Sequence, residues 1–449
     1  MKRILWEGSA MPKMPNPVIV IPGVVASYLR DEYPLPPESI WEVLEGSKQY
    51  ERASLHPDNL RYEAIEPARV MAGQIYEIAY KELIEELRHN LTQRPDQPVP
   101  VYPFAYDWRQ PLAATCAALG PFIDEVIART QLLRHYDTDT AYKANPRVDL
   151  VGHSMGGLVI AGYFASTGAK HRVGSVVTLA TPFQGSYEAV IKVTTGTANL
   201  GTTPPSSRER EAARLTPSLY HLMPSFAGAL TVPPGLPADL FDPTVWQPSV
   251  IDTIRQYIQL RGLNPTNAKA QAEKIFAGML QDARNFRKLT DNLNLKTCNL
   301  DADDWLCVVG VDSTTRVQLG VTLNGGKPDF AFNGADRQND WDLAEPDRNR
   351  ELTGDGTVPF RGAIPKFLPR EKLVCVTPDD FGYWEVQDRL TASIAGFHGI
   401  LPNMDMLHRL IVAFLTARKD KHGNIWGRRA PGVAAAAWDP PQTGLEDKS

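Results

Sequence analysis

The sequence predicts an α/β fold: a mostly parallel central sheet with helices on both faces and an inserted helical cap. Three observations point to it. Short apolar runs alternate with segments of helical periodicity as far as Ala180. That alternation breaks into loop-rich, helix-rich sequence over 186–300, after which strand-like runs resume. A Gly-x-Ser-x-Gly pentapeptide, Gly152-His153-Ser154-Met155-Gly156, lies where an apolar run meets a helical pattern.

The first buried-strand pattern, Pro17 to Ile21, stops at Pro22-Gly23. Residues Gly73 to Leu91 have helical spacing, with Ile75, Ile78, Ala79, Leu83, Ile84 and Leu87 on one side. A short strand is expected over Val99 to Phe104 and an amphipathic helix over Leu112 to Leu133. The run from Val148 to Val151 then enters the pentapeptide, a helix follows, and Val173 to Ala180 reads as the next buried strand. Over 186–300 helices are expected near Ser249 to Leu260 and Ala268 to Leu289. Their position between the pentapeptide and the remaining candidate residues suggests a lid over an apolar substrate. Leu306 to Val311 resumes the sheet. A hairpin is expected over Val317 to Leu323, then a polar loop from Asn324 to Asn349. Leu373 to Val376 is the last core strand and Asp405 to Thr416 the last amphipathic helix. The chain, 1–449, thus reads as a single domain carrying the 186–300 insertion, with a disordered Ala- and Pro-rich tail over 432–449.

Composition narrows the class. The 449 residues are 43% apolar and 22% charged, as in ordinary globular proteins, and the net charge of −5 offers no footprint for nucleic acid. Four cysteines, Cys116, Cys298, Cys307 and Cys375, show no C-x-x-C spacing, so no metal cage and no cofactor are indicated; separate buried thiols are expected, with a Cys298–Cys307 disulfide as the alternative. No apolar run reaches the length of a membrane span, and Met1 to Asn16 lacks the apolar core of a secretory signal. The expectation is a cytoplasmic protein, or one exported without a classical signal.

A strand-turn-helix context turns Ser154 into a candidate nucleophile. Glycines two residues either side relieve the collisions of a sharp turn and leave the hydroxyl projecting at the sheet edge. Such a serine needs a histidine to take its proton and a carboxylate to orient that histidine, in chain order Ser, Asp, His. Asp355 in Gly354-Asp355-Gly356-Thr357-Val358-Pro359 is the leading acid, with Asp312 after the Val308–Val311 run as the alternative. His398, in a loop before the last helix, is the leading base over His408 within that helix, and His153 reads as packing of the turn. The oxyanion would take backbone N–H groups from Met155 and from Val24, with Val25 the alternative to Val24.

Several islands then resemble one family together: Val20-Ile21-Pro22-Gly23, Ser39-Ile40-Trp41, Ala105-Tyr106-Asp107-Trp108-Arg109, the pentapeptide with Gly157, Ala180-Thr181-Pro182-Phe183-Gln184-Gly185 and Gly354 to Pro359. They are similar, in order, to the lecithin:cholesterol acyltransferase family, which includes phospholipid:diacylglycerol acyltransferases, a lysosomal phospholipase A2 and bacterial lipase-like members. The resemblance implies an α/β-hydrolase fold and a triad at Ser154, Asp355 and His398. It also implies a lipid ester substrate and lipid contact by Trp41. Asp107, Trp108 and Arg109 are expected to brace the sheet and loops. The combined expectation is a lipase- or phospholipase A-like serine esterase working through an acyl-enzyme, with lipid acyl transfer, or a silent binding protein on the same fold, as alternatives. Transient membrane-surface contact through the cap is part of it.

Overall fold

The computed structural model describes residues 14–42, 49–197, 205–341, 351–382, 385, 396–418, 425–442 and 444–448. The first 13 residues, cap positions 198–204, loop positions 342–349 and tail positions 443 and 449, all of which the sequence reading covers, lie outside the described residues.

Six strands form the central sheet: β1 (Val18–Ile21), β2 (Val101–Pro103), β3 (Val148–His153), β4 (Val173–Leu179), β5 (Trp305–Gly310) and β6 (Leu373–Val376). Their spatial order is β6-β5-β4-β3-β1-β2, and every pairing is parallel. A parallel sheet is covered on both faces, so its strands read as continuous apolar runs. Alternation still decides which face each residue serves. Ile19 and Ile21 point into one core with Leu150, while Val18 and Val20 point into the other with Val151.

Helices α1 (Glu77–Leu91) and α6 (Asp405–Thr416) fill the second core, through Leu83, Leu87, Leu407 and Ile411. Helices α2 (Leu112–Gln131) and α3 (Met155–Thr167) fill the first, through Leu119, Ile123, Leu158 and Phe164. The chain moves from β1 outward to β2, then returns past β1 to β3. That reversal opens a crevice outside the carboxyl ends of β1 and β3, where ligands bind in open α/β sheets.

Three expectations shift. The helix begins at Glu77, because Gly73 to Ile75 belong to strand Val70–Ile75, which pairs antiparallel with Ser27–Asp31. With Glu38–Trp41 on its other side, Ser27–Asp31 forms a small three-stranded sheet. Helical spacing at its exposed end gave way to a pairing partner far away in sequence. The hairpin lies later than expected, at Leu319–Asn324 and Lys327–Ala331, because Gly325 and Gly326 both take positive φ and set the turn. The tail carries strand Leu445–Asp447, paired parallel with Ile425–Gly427.

The segment after β4 is helical as expected, with α4 (Pro248–Arg261) and α5 (Ala268–Asp291) its longest elements, and a two-residue strand, Leu230–Thr231, beside the hairpin. Arg287 of α5 ties this segment to the sheet. Its guanidinium donates to the carbonyls of Phe183, His221 and Met223, and burial pushes its pKa down to about 10, which leaves it charged. Asp291, one turn on, accepts from Gln184 Nε2. Among the described residues no helix is long and apolar enough to cross a membrane, and all four cysteines are buried free thiols.

Candidate active site

Strand β3 is buried from end to end, and the chain turns at its last residue. Ser154 sits in that turn with φ 53° and ψ −126°, and α3 begins at Met155. The turn is tight enough that a Cβ at position 156 would overlap the Ile21 carbonyl of β1, so the first turn of the helix needs glycine there. The Met155 N–H, in the first turn of α3, has no acceptor within the helix.

The loop after β1 packs directly on Ser154: a Cβ on Gly23 would lie 3.0 Å from Ser154 Cβ and 3.3 Å from its Oγ. Three side chains hold this loop. Tyr106 Oη donates to the Pro22 carbonyl (2.9 Å), Gly23 N–H donates to Tyr80 Oη (2.9 Å), and Trp41 Nε1 donates to the Val25 carbonyl (3.1 Å). Val25 itself has φ 57°, unusual for a β-branched residue. The Tyr-Asp-Trp-Arg island is therefore a brace. Beyond Tyr106, Arg109 is buried on Asp107, Glu63 and the Ala53 carbonyl, and Trp108 packs on Trp41 with ring centroids 4.7 Å apart. Breaking such a buried ion pair by removing one partner costs about 3–5 kcal/mol.

Trp41 differs from its expectation as a lipid-contacting residue. It is 2% exposed and lies in the core between Trp108 and Tyr50. Strand Glu38–Trp41 turns the indole inward, where its N–H fixes the Val25 carbonyl, so it acts on the loop and not on the surface.

Downstream residues complete the cluster. The carboxylate of Asp355, 1% exposed, accepts through Oδ1 from the N–H groups of Thr357 (2.9 Å) and Val358 (2.7 Å). Its Oδ2 lies 2.7 Å from His398 Nδ1, and His398 Nε2 lies 2.9 Å from Ser154 Oγ. The backbone reinforces the pair, since His398 N–H donates to the Asp355 carbonyl (3.2 Å). Ser154, Asp355 and His398 are thus brought into one hydrogen-bonded chain. The alternatives are engaged elsewhere. Asp312 Oδ1 accepts from Asn339 Nδ2 at 2.9 Å, and His408, buried in α6, holds the Pro402 carbonyl through Nε2 at 2.7 Å.

Asp355 has little room. A Cβ on Gly310, at the end of β5, would lie 2.6 Å from Asp355 Cβ and 3.2 Å from Phe397 Cε1. Gly310→Ala is expected to push the carboxylate off His398, lowering kcat about 100-fold, since a shift of an ångström in such a group costs that much. Overpacking should also cost about 1–3 kcal/mol in urea denaturation. An alanine variant with native kcat would separate the placement of Asp355 from turnover.

Two residues here escaped sequence reasoning. His153 does point away from Ser154, but it does more than pack the turn. Its Nδ1 meets Tyr80 Oη at 2.8 Å and its Nε2 meets the His398 carbonyl at 2.9 Å. Burial, and then the neighbouring His398, hold its pKa well below the usual imidazole range, so it is neutral. Tyr80 is buried on α1, and burial raises its phenol above the ordinary value. Nothing in the local pattern around Tyr80 marks it, because its partners are Gly23 and His153.

A concentration of unusual backbone marks the carboxyl edge of the sheet. Val25 after β1, Ser154 after β3, Ala180 after β4 (φ 51°) and Asp312 after β5 (φ 62°) all hold positive φ without being glycine.

The lecithin:cholesterol acyltransferase family profile matches residues 62–287, half of the chain. The chain belongs to the lecithin:cholesterol acyltransferase family. Membership places it among proteins acting on lipid esters, by hydrolysis or acyl transfer. No curated protein sequence matches the chain at a significant level. Among solved structures, a chain of "The crystal structure of Tle4-Tli4 complex" superposes with a TM-score of 0.51 at 15% identity, covering 78% of this chain and 89% of that one. At that identity the likeness concerns the fold, which is the α/β-hydrolase fold that the resemblance implied.

Proposed function

We propose that this family member is a serine hydrolase of lipid esters, working through a covalent acyl-enzyme. The observation that carries the reading is the chain Ser154 Oγ–His398 Nε2, His398 Nδ1–Asp355 Oδ2, with both contacts inside hydrogen-bond reach. In the first half-reaction Ser154 Oγ attacks the ester carbonyl as His398 Nε2 takes its proton. Asp355 holds the ring by Nδ1–H and stabilises the imidazolium. The oxyanion forms between the N–H of Met155 and that of Val24 or Val25, on the loop packed against Ser154. His398 then protonates the departing alcohol. In the second half-reaction it removes a proton from water as that water attacks the acyl carbonyl, then returns it to Ser154 Oγ as the acyl–oxygen bond breaks and the acid leaves.

The helical segment over 186–300 serves as the cap in this reading. Its anchors support the role. Arg287 grips the Phe183 carbonyl, and Ser186 Oγ donates to the Thr357 carbonyl (2.6 Å), two residues from Asp355. A cap fixed at the carboxyl edge of the sheet controls how dry the acyl-enzyme stays, and so whether water or a lipid alcohol receives the acyl group.

The test is product analysis with a labelled phospholipid in mixed micelles, with and without diacylglycerol as acceptor. Hydrolysis predicts free fatty acid and lysophospholipid as main products in both conditions. Labelled triacylglycerol dominating when diacylglycerol is present would make the chain an acyltransferase instead. No product in either condition would overturn the lipid ester reading.

A further inference from the structure

The hydrogen bonds around His153 can be written in only one direction. The His398 carbonyl can only accept, so His153 Nε2 carries the proton. His153 is neutral, so Nδ1 is an acceptor, and the Tyr80 hydroxyl donates to it. The Tyr80 oxygen is then free to accept from Gly23 N–H. The result is an ordered run, Gly23 N–H to Tyr80 O–H to His153 Nδ1, and His153 Nε2–H to the His398 carbonyl. Gly23 packs on Ser154 and His398 bonds its hydroxyl, while Tyr80 and His153 reach the site through those two residues. The His153 and His398 rings are 5.0 Å apart, centroid to centroid.

We infer that Tyr80 and His153 are positioning residues that hold the main chain of His398 and the Gly23 turn in register across Ser154. The inference rests on the proposed triad. One end of the run sets the residue before Val24, the candidate oxyanion donor. The other sets the backbone of the candidate base. Its buried position, between a phenol that donates and a carbonyl that accepts, locks the His153 tautomer. A second proton on Nδ1 would face the Tyr80 donor and would set a positive charge beside the imidazolium that forms on His398 during acyl transfer. The element that links the two halves of the site is thus the residue next to the nucleophile, reached through a tyrosine on α1.

Variants at the two positions separate this role from mere packing. Tyr80→Phe is nearly isosteric and removes only the hydroxyl. It should lower kcat for a p-nitrophenyl acyl ester about 10–100-fold with KM within about twofold. Phosphonylation of Ser154 by a fluorophosphonate probe should slow in parallel, and the melting temperature should stay within a few degrees.

At position 153 the two arms can be kept one at a time. H153Q retains an N–H donor for the His398 carbonyl but no acceptor for Tyr80, so it should lose part of kcat. H153N retains an acceptor for Tyr80 but no donor for the His398 carbonyl, so it too should lose part of kcat, with H153L falling furthest. Native kcat in Tyr80→Phe and H153L overturns the inference. So does a fall in kcat that merely follows the loss of folded protein, or native kcat in either H153Q or H153N. Ser154→Ala, run alongside, keeps the two levels apart. An active Ser154→Ala variant brings down the triad reading itself, whereas an inactive one beside an unimpaired Tyr80→Phe brings down only the run through Tyr80 and His153.

Discussion

Ser154→Ala is expected to lower turnover of acyl esters about 10⁶-fold while leaving the protein folded, the scale of loss when the nucleophile of a serine triad is removed. The hydroxyl is the only part of the residue the chemistry needs. Ser154 N–H donates to the Leu179 carbonyl at 2.9 Å, and alanine keeps that bond. Alanine tolerates the positive φ no worse than serine does, so backbone strain is unchanged. The residual rate should stay above that of water, because the Met155 amide and the substrate contacts remain. Steady-state assays on a p-nitrophenyl ester and on phospholipid, with a thermal melt to establish the fold, make the comparison. Turnover within tenfold of the parent would remove Ser154 from the reaction. Loss of labelling by a fluorophosphonate should accompany loss of turnover.

Asp355→Asn should cost nearly as much, about 10⁴-fold in kcat, and for a reason the local hydrogen bonds dictate. Oδ1 of Asp355 is fixed by two backbone donors, Thr357 N–H and Val358 N–H. An asparagine must offer its carbonyl oxygen to those donors, which turns its NH₂ group toward His398 Nδ1. That nitrogen then has to accept, the ring proton moves to Nε2, and His398 can only donate toward Ser154. The general base is present but in the wrong tautomer. Stability should change little, since the two backbone donors remain satisfied. A variant with near-native kcat would argue that Asp355 does not orient the base.

The contrast between these residues and the others shows what could be read from sequence. Strands β1 and β3 to β6 are buried apolar runs, and α2, α5 and α6 have long, regular periodicity, so their type was legible. Ser154 and Asp355 stood out as glycine-flanked turns, and His398 as the histidine ahead of the last helix; the expected loop there is a short helix, Phe397–Ile400, that carries His398. The small sheet built on Ser27–Asp31 was not legible. Its strands are short and mixed in polarity, and Val70–Ile75 finds its partner only after the chain has returned across more than one element. Trp41 failed for a related reason, as the motif identifies the residue but not the face of Glu38–Trp41 on which it sits. Tyr80 and His153 were illegible as a pair, because a hydrogen bond between residues 73 positions apart leaves no local pattern. The site's chemistry was thus written locally, and its supports were written in tertiary contacts.

The left-handed residues that follow β1, β3, β4 and β5 carry one more implication. Each non-glycine in such a conformation costs of order 1–3 kcal/mol, against a total stability of about 5–15 kcal/mol for a folded domain. The rim that presents Ser154 is therefore a sizeable debt on the molecule's resistance to heat, and it lies wholly on the reactive side of the sheet. Heat-hardened descendants of this chain should leave the rim alone and gain their margin in packing away from it. Glycine substitutions that relax the rim should raise the melting temperature and blunt the enzyme together.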